Sequence, residues 1–342
     1  MSKVILGYAL QEGEIHISEA DAKKYTHLNI AFGKLQLDQT ISTEGLTLLD
    51  EIKTLKGYNP NLKISLSIGG GHKDAFSDGA KTEATRKKIA SECARIVEEY
   101  KLDGIDYDWE FPTSPCNSIK CDEADRENFT LLMKEIRTAL DAIDGTHYLL
   151  TIAAGGDQYY VDFTNMAEVQ QYLDYVFLMT YDLRCGFHGL TGHHTNLYTT
   201  NGDIFRTSCD AAVRIFHNAG VPMEKLCIGA AFYSREWYGV KNVNKGLLQL
   251  TDGSGPVGYY GPDYTELVNN YINKNGFVRY YDEQAQAPYL FNGSRFISYD
   301  DVQSVAAKCD YVSKTGCAGI FHWQHSYDLT GELLDTMAKI LK

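Results

Sequence analysis

An α/β fold closed into a (β/α)8, or TIM, barrel is predicted by three observations. Eight short apolar runs rich in β-branched and aromatic residues recur along the 342 residues. Amphipathic stretches with apolar residues at three- and four-residue spacing separate them, which is the pattern of strands joined by crossover helices. No glycine-rich phosphate fingerprint follows the first run, so an open doubly wound sheet fits less well.

The runs lie at 4–9, 27–32, 62–67, 104–110, 148–154, 175–181, 226–233 and 319–325. The helical stretches include 86–100, 124–142, 204–219 and 300–315, several opening on acidic residues and closing near glycine, as helix dipoles and left-handed caps prefer. Between the seventh and eighth runs the rhythm breaks. Residues 239–295 are rich in Tyr, Gly and Asn and too long for a loop, so a small α+β insertion is expected there. The barrel then comprises 1–238 and 296–342.

Composition narrows the function. With 32 Lys and Arg against 45 Asp and Glu, the formal charge is −13, which argues against a nucleic-acid partner and against an anionic membrane surface. No apolar run approaches the roughly 20 residues that span a bilayer. The first residues, MSKVILGYALQEGE, lack a full signal-peptide core and a small-residue cleavage site and read as a first strand, so no signal peptide is expected in this stretch. The 24 Tyr, against 14 Phe and 3 Trp, suit stacking on polar ring-shaped ligands, although most fill polar-edged cores. The 8 Cys form no CxxC pair, which argues against structural zinc, and only Cys116 and Cys121 are close enough for a local disulfide.

The chemistry concentrates in KLDGIDYDWEFP, residues 101–112. Strand side chains alternate, so Asp106, Asp108 and Glu110 share one face while Ile105, Tyr107 and Trp109 take the other. With the apolar set toward the helices, three carboxylates point into the barrel, roughly 7 Å apart along the strand. Like charges in so poorly solvated a place force a proton onto at least one of them. Such a stack has no stability rationale. A divalent metal is one reading, but the segment has no glycine-centred calcium loop. Acid/base catalysis is the other, with Glu110 at the mouth as proton donor. Asp108 comes from the same strand, so it is badly placed to attack a sugar from the far side, which favours a nucleophile supplied by the substrate.

DGIDYDWE resembles the DxxDxDxE signature of glycoside hydrolase family 18, the chitinase family, with Asp103 as its first acidic residue. Ser67, Gly69 and Gly70 resemble the SxGG motif on strand three. Met179, Tyr181 and Asp182 resemble MxYD on strand six, and Trp323 stands where the family has a sugar-stacking Trp on strand eight. The insertion resembles the chitin insertion domain. The resemblance implies that Glu110 is general acid and then base, that Asp108 orients the substrate acetamide, and that Asp106 shares a proton with Asp108. It implies that Tyr181 hydrogen-bonds the acetamide carbonyl, and that Asp182 and Trp323 contact the sugar beside the cleaved bond. Further substrate contacts are implied for Tyr8, Phe32, Trp109, Met179, Tyr233 and Arg235, and structural roles for Ser67, Gly69, Gly70 and Asp103.

Hydrolysis of β-1,4 bonds in chitin or N-acetylglucosamine oligosaccharides follows as the expected activity, by a retaining mechanism through an oxazolinium intermediate. No cofactor and no metal are expected, and a monomer is. Such a substrate favours an extracellular or cell-surface setting. Two alternatives stay open. One is an endo-β-N-acetylglucosaminidase acting on glycoprotein glycans or peptidoglycan-derived sugars; the other is a non-catalytic chitin-binding lectin, against which the intact Glu110 argues. His188, His193 and His194 follow strand six and are read as groove lining rather than metal ligands. His325 stands just past Trp323, where many family members carry an acidic residue.

Overall fold

The computed structural model of the chain describes residues 3–11, 15–115 and 118–342. Cys116, one half of the disulfide considered above, lies outside them.

Eight parallel strands close on one another: β1 (Val4–Leu10), β2 (His27–Leu35), β3 (Lys63–Gly71), β4 (Gly104–Tyr107), β5 (Leu149–Gly155), β6 (Tyr175–Met179), β7 (Leu226–Ala231), and an eighth at Gly319–Trp323. The eighth pairs with both β1 and β7, and β1 pairs with β2, which completes the ring. Each strand alternates as a barrel requires. In β4, Ile105 and Tyr107 join the large outer core under the helices, whereas Asp106 faces inward. The lower interior is plugged by Val4, Leu6, Tyr8, Ala31, Phe177, Cys227 and Phe321. Asp103 lies below that plug, taking the Ile64 amide at 2.8 Å and ion pairs from Lys56 and Lys63, so it ties neighbouring strands at their starts.

Helix ends follow local chemistry. The helix Glu83–Tyr100 starts behind Thr82, whose hydroxyl caps the Thr85 amide, and ends at Lys101 in the left-handed region. Val302–Thr315 starts behind Asp301, which caps Gln303 and Ser304, and stops at Gly316 with φ 85°. Such a cap contributes about 1 kcal/mol. The stretch expected as a helix over 204–219 is helical only at Cys209–Asn218, because Ser208 caps Ala211 and starts the helix there.

Two boundaries differ from expectation. Strand pairing in β4 stops at Tyr107, although the Asp108 amide still donates to Ile68 O at 2.9 Å and carries the extended chain toward the mouth. The run 226–233 is two strands. At Phe232 the amide still bonds Trp323 O of the eighth strand, but the carbonyl takes the Tyr264 amide. Beyond this switch the chain enters a second, five-stranded antiparallel sheet: β8 (Tyr233–Trp237), β9 (Val257–Asp263), β10 (Val278–Asp282), β11 (Ala287–Phe291) and β12 (Phe296–Ser298). The second sheet therefore takes in residues on both sides of the expected 239–295. An unbroken apolar run such as LCIGAAFY carries no mark of a change of partner. The eighth barrel strand is β13 in this numbering.

Candidate active site

A cleft of about 170 Å³ opens at the C-terminal ends of the barrel strands, lined by Tyr8, Phe32, Asp108, Glu110, Met179, Tyr181, Asp182, Tyr233, Tyr260 and Trp323 among others. A larger recess of about 760 Å³, bounded by Leu10, Gln11, Lys34 and Glu44, continues from it past Phe32 and Gly70.

Asp106 lies deepest and is fully buried. Three hydroxyls donate to it: Tyr8 at 2.8 Å, Ser67 at 2.8 Å and Thr151 at 2.6 Å. Burial still leaves its carboxyl above the usual range, with those bonds working in the opposite direction. Asp108 stands above it, also buried, and its Oδ1 has no hydrogen-bond partner. Burial first, then the neighbouring Glu110 and Asp106, push the Asp108 carboxyl well above its ordinary value. Glu110, at the rim, is pushed up to about 7 by burial and by the Asp182 charge. No hydrogen bond joins Asp106 to Asp108 among the described residues.

The facing wall is built from a different kind of contact. Asp182 follows β6 with φ 58°, a left-handed conformation that Asp tolerates better than most residues. Arg235 of β8 grips its carboxylate with two bonds, Nε at 2.7 Å and Nη2 at 2.6 Å, and the Tyr233 hydroxyl adds a third at 2.8 Å. The Asp182 amide donates to His194 Nδ1 at 3.4 Å. Burial alone would raise the Asp182 carboxyl, but bonding to His194 and Arg235 and the guanidinium charge outweigh it and hold it well below the usual range. Arg235 is itself stacked over Tyr260, 3.6 Å from the ring centroid.

Aromatic rings form the floor. Phe32 stacks on Trp323 with centroids 5.6 Å apart and planes at 21°, and Tyr8 leans on the same indole at 5.6 Å. Gly69 makes room for this stack, since a Cβ there would sit 2.5 Å from the Phe32 ring. The Tyr181 ring rests on Gly229 in the same way, and its hydroxyl makes no protein hydrogen bond among the described residues.

The sequence profile described as "Glycosyl hydrolases family 18" matches residues 4–328. The chain belongs to that family. It is 37% identical to Chitinase A1 of Niallia circulans over 301 residues, 82% of this chain and 42% of that protein. To Chitinase B of Serratia marcescens it is 27% identical over 393 residues, covering 93% of this chain and 76% of that one. Among solved structures, a family 18 N-acetylglucosaminidase from Paenibacillus barengoltzii superposes with a TM-score of 0.95 at 52% identity, over 99% of this chain and 100% of the other. The chain spans 42% and 40% of the lengths of the first two curated relatives it matches.

Within this family 18 site, the structure brings Glu110, Asp108, Tyr181, Asp182, Tyr8, Phe32, Met179, Tyr233 and Trp323 to one cleft, with Arg235 behind Asp182. Asp106 and Ser67 lie directly beneath it. Trp109 is a correction. It is 1% exposed, stacked on Phe76 and edge-on to Phe129 on the helix side, where strand alternation puts it, so it does not face a ligand. His325 also lies away from the cleft, its Nδ1 at 2.9 Å from the Tyr25 hydroxyl. His193 pairs with Asp282 and His188 packs on Phe205, leaving His194 as the histidine of the trio that borders the site. No group of three or more His, Cys, Asp or Glu among the described residues is arranged to hold a metal ion. Three contributors had no sequence motif. Thr151 was readable from the alternation of β5, whereas His194 and Tyr260 come from irregular segments whose contacts only the fold creates.

Proposed function

We propose that the cleft hydrolyses β-1,4 N-acetylglucosaminide bonds of chitin-type oligosaccharides, with retention and with the substrate's acetamide as nucleophile. One observation carries this reading: every carboxylate lining the cleft is either short of a charge partner or saturated with them. Glu110, with a carboxyl near 7, is suited to give a proton to the leaving oxygen and take one back from water. A protein nucleophile would have to be an ionised carboxylate across the sugar ring. Asp182 is ionised, but the bidentate Arg235 grip and the Tyr233 bond occupy its oxygens. Asp108 is on Glu110's own segment, and burial with its two carboxyl neighbours disfavours its ionised form.

A neutral group tethered to the sugar escapes both difficulties. In this reading Asp108, with its unpartnered Oδ1, meets the acetamide N–H, and the Tyr181 hydroxyl donates to the acetamide oxygen. That places the oxygen for attack on the anomeric carbon, an orientation effect of the kind that makes intramolecular reactions fast. Trp323 and Phe32 give the apolar face of the ring a flat floor.

A second reading is favoured by one comparison, the solved neighbour described as an N-acetylglucosaminidase. It keeps the chemistry and changes the product, with single N-acetylglucosamine units released instead of longer fragments. Fluorophore release from N-acetylglucosamine, chitobiose and chitotriose conjugates separates the two, and a high-mannose glycopeptide tests action on glycoprotein glycans. The mechanism is tested by NMR of fresh product, where the β anomer is expected first. Appearance of the α anomer first, or equal cleavage of glucose oligomers, would refute it.

A further inference from the structure

Behind the acetamide-facing wall, and outside the cleft, lies an ion pair buried to a degree charges seldom are: Lys308 is 0% and Asp300 1% exposed. Lys308 reaches from the helix Val302–Thr315 into the junction of β6 and β7. Its ammonium has three hydrogens and three acceptors: Thr195 Oγ1 at 2.6 Å, Asp300 Oδ2 at 2.6 Å and Gly229 O at 3.2 Å. Asp300 is equally committed, taking the Ala231 amide at 3.0 Å on Oδ2 and the Ser304 hydroxyl at 2.7 Å on Oδ1. The Thr195 hydroxyl faces Thr180 O at 3.1 Å and Asp300 Oδ2 at 3.0 Å.

Desolvating two charges is so costly that an apolar pair of the same volume is often at least as stable, so stability alone is a poor reason for this arrangement. What it supplies is direction. Three of the segments tied to it, directly or through Thr195, lead into a side chain of the cleft within two residues. Thr180 precedes Tyr181 and Asp182; Thr195 follows His194; Ala231 leads to Tyr233. Gly229 is the seat of Tyr181, for a Cβ there would lie 2.8 Å from the ring, and its amide and carbonyl are also clasped by the Thr180 hydroxyl at 2.8 and 3.0 Å.

We propose that the Lys308–Asp300 pair is a positioning element for turnover: by locking Thr180, Thr195, Gly229 and Ala231 together, it fixes the Tyr181 hydroxyl where the acetamide oxygen must be held as the ring closes. This rests on the reading of Tyr181 given above. Neither Lys308 nor Asp300 touches substrate, so each acts through Tyr181. The effect belongs to the transition state more than to ground-state binding, because misplacing the hydroxyl by a fraction of an ångström weakens the attack geometry while the aromatic floor still holds the sugar.

The test compares Lys308→Met/Asp300→Asn, Thr195→Val and Tyr181→Phe with the wild type on a chitobiose conjugate, with thermal melting and far-UV circular dichroism on each. Assays run well below every Tm. In the double variant kcat is expected to fall at least about thirtyfold with KM within about threefold. Inhibition by a thiazoline mimic of the cyclised intermediate should weaken in step with kcat. Thr195→Val, nearly isosteric, removes the relay to Thr180 together with one of the three acceptors of Lys308 and should lose about tenfold; it carries the test if the double variant does not fold. A lowered Tm with kcat and thiazoline inhibition within threefold of wild type, while Tyr181→Phe is inactive, would overturn the positioning role alone. Full activity in Tyr181→Phe would overturn the reading beneath it.

Discussion

The two walls of the cleft use the same side chain to opposite ends. On the β4 side, Asp106, Asp108 and Glu110 are stacked with no cation in contact among the described residues, and all three carboxyls are raised. On the β6 side, Asp182 lines the same cleft but lies in the grip of Arg235, and its carboxyl is depressed. Burial opposes ionisation on both walls. The cation decides. One wall thereby keeps protons available at neutral pH, and the other keeps a fixed negative charge that in turn raises Glu110. An acid and an anion face each other across one cleft.

The largest expected effect comes from removing the proton donor. Glu110→Gln should lower kcat by on the order of a thousandfold while oligosaccharide binding, read by calorimetry, persists. The same variant tests the cost of the uncompensated wall. The Glu110 carboxyl has a folded value of about 7 against 4.5 in the open chain, so between those values the folded state holds the extra proton. Wild-type stability must therefore fall as pH rises from about 4.5 through 7. The glutamine variant lacks that loss, so its Tm should exceed the wild type's at pH 8 by more than at pH 4.5; equal differences at the two pH values would contradict the assignment.

Breaking the other wall should come next. Arg235→Met leaves the Asp182 charge without its partner, and urea unfolding should show a loss of about 2 kcal/mol. This is less than a fully buried pair would lose, because the Asp182 side chain is 31% exposed. The smallest effect is the most specific. The wild-type kcat/KM profile should fall above about pH 7, as the acid loses its proton. Asp182→Asn should move that limb down by roughly half a unit, and Arg235→Met should move it up by a similar amount, since a screened charge at this range acts at about that size. Shifts in the same direction would mean that the two walls are not coupled through Asp182.

The barrel was legible because its signal is periodic. Alternation in GIDYDWE placed Asp106, Asp108 and Glu110 inside and, read strictly, Trp109 outside, where it is found; the substrate contact assigned to Trp109 came from the motif and not from the pattern. The positions of Glu110, Tyr181 and Trp323 were readable for the same reason, since each stands at or just past a strand end. What stayed hidden depends on partners far apart in sequence. Nothing near Asp182 announces that Arg235, 53 residues on, will take both its oxygens. The hydroxyls of Tyr8 and Thr151 reach Asp106 across 98 and 45 residues. The seventh run concealed its own break because Phe232 is as apolar as the strand before it, and only its change of hydrogen-bond partner reveals the start of a second sheet.

Arg235 and Tyr233 belong to β8, a strand of that second sheet, while the carboxylate they hold belongs to the barrel. The two layers thus share one charge. A chain shortened by joining Phe232 directly to Tyr299 could still close its barrel, yet Asp182 would have lost both its guanidinium and its phenol. Its carboxyl would then rise from its depressed value, and its charge, no longer screened by the guanidinium, would bear more strongly on Glu110. Exchange of this segment between proteins, which on its face alters only the reach of the binding surface, would also retune the acidity of the reacting groups.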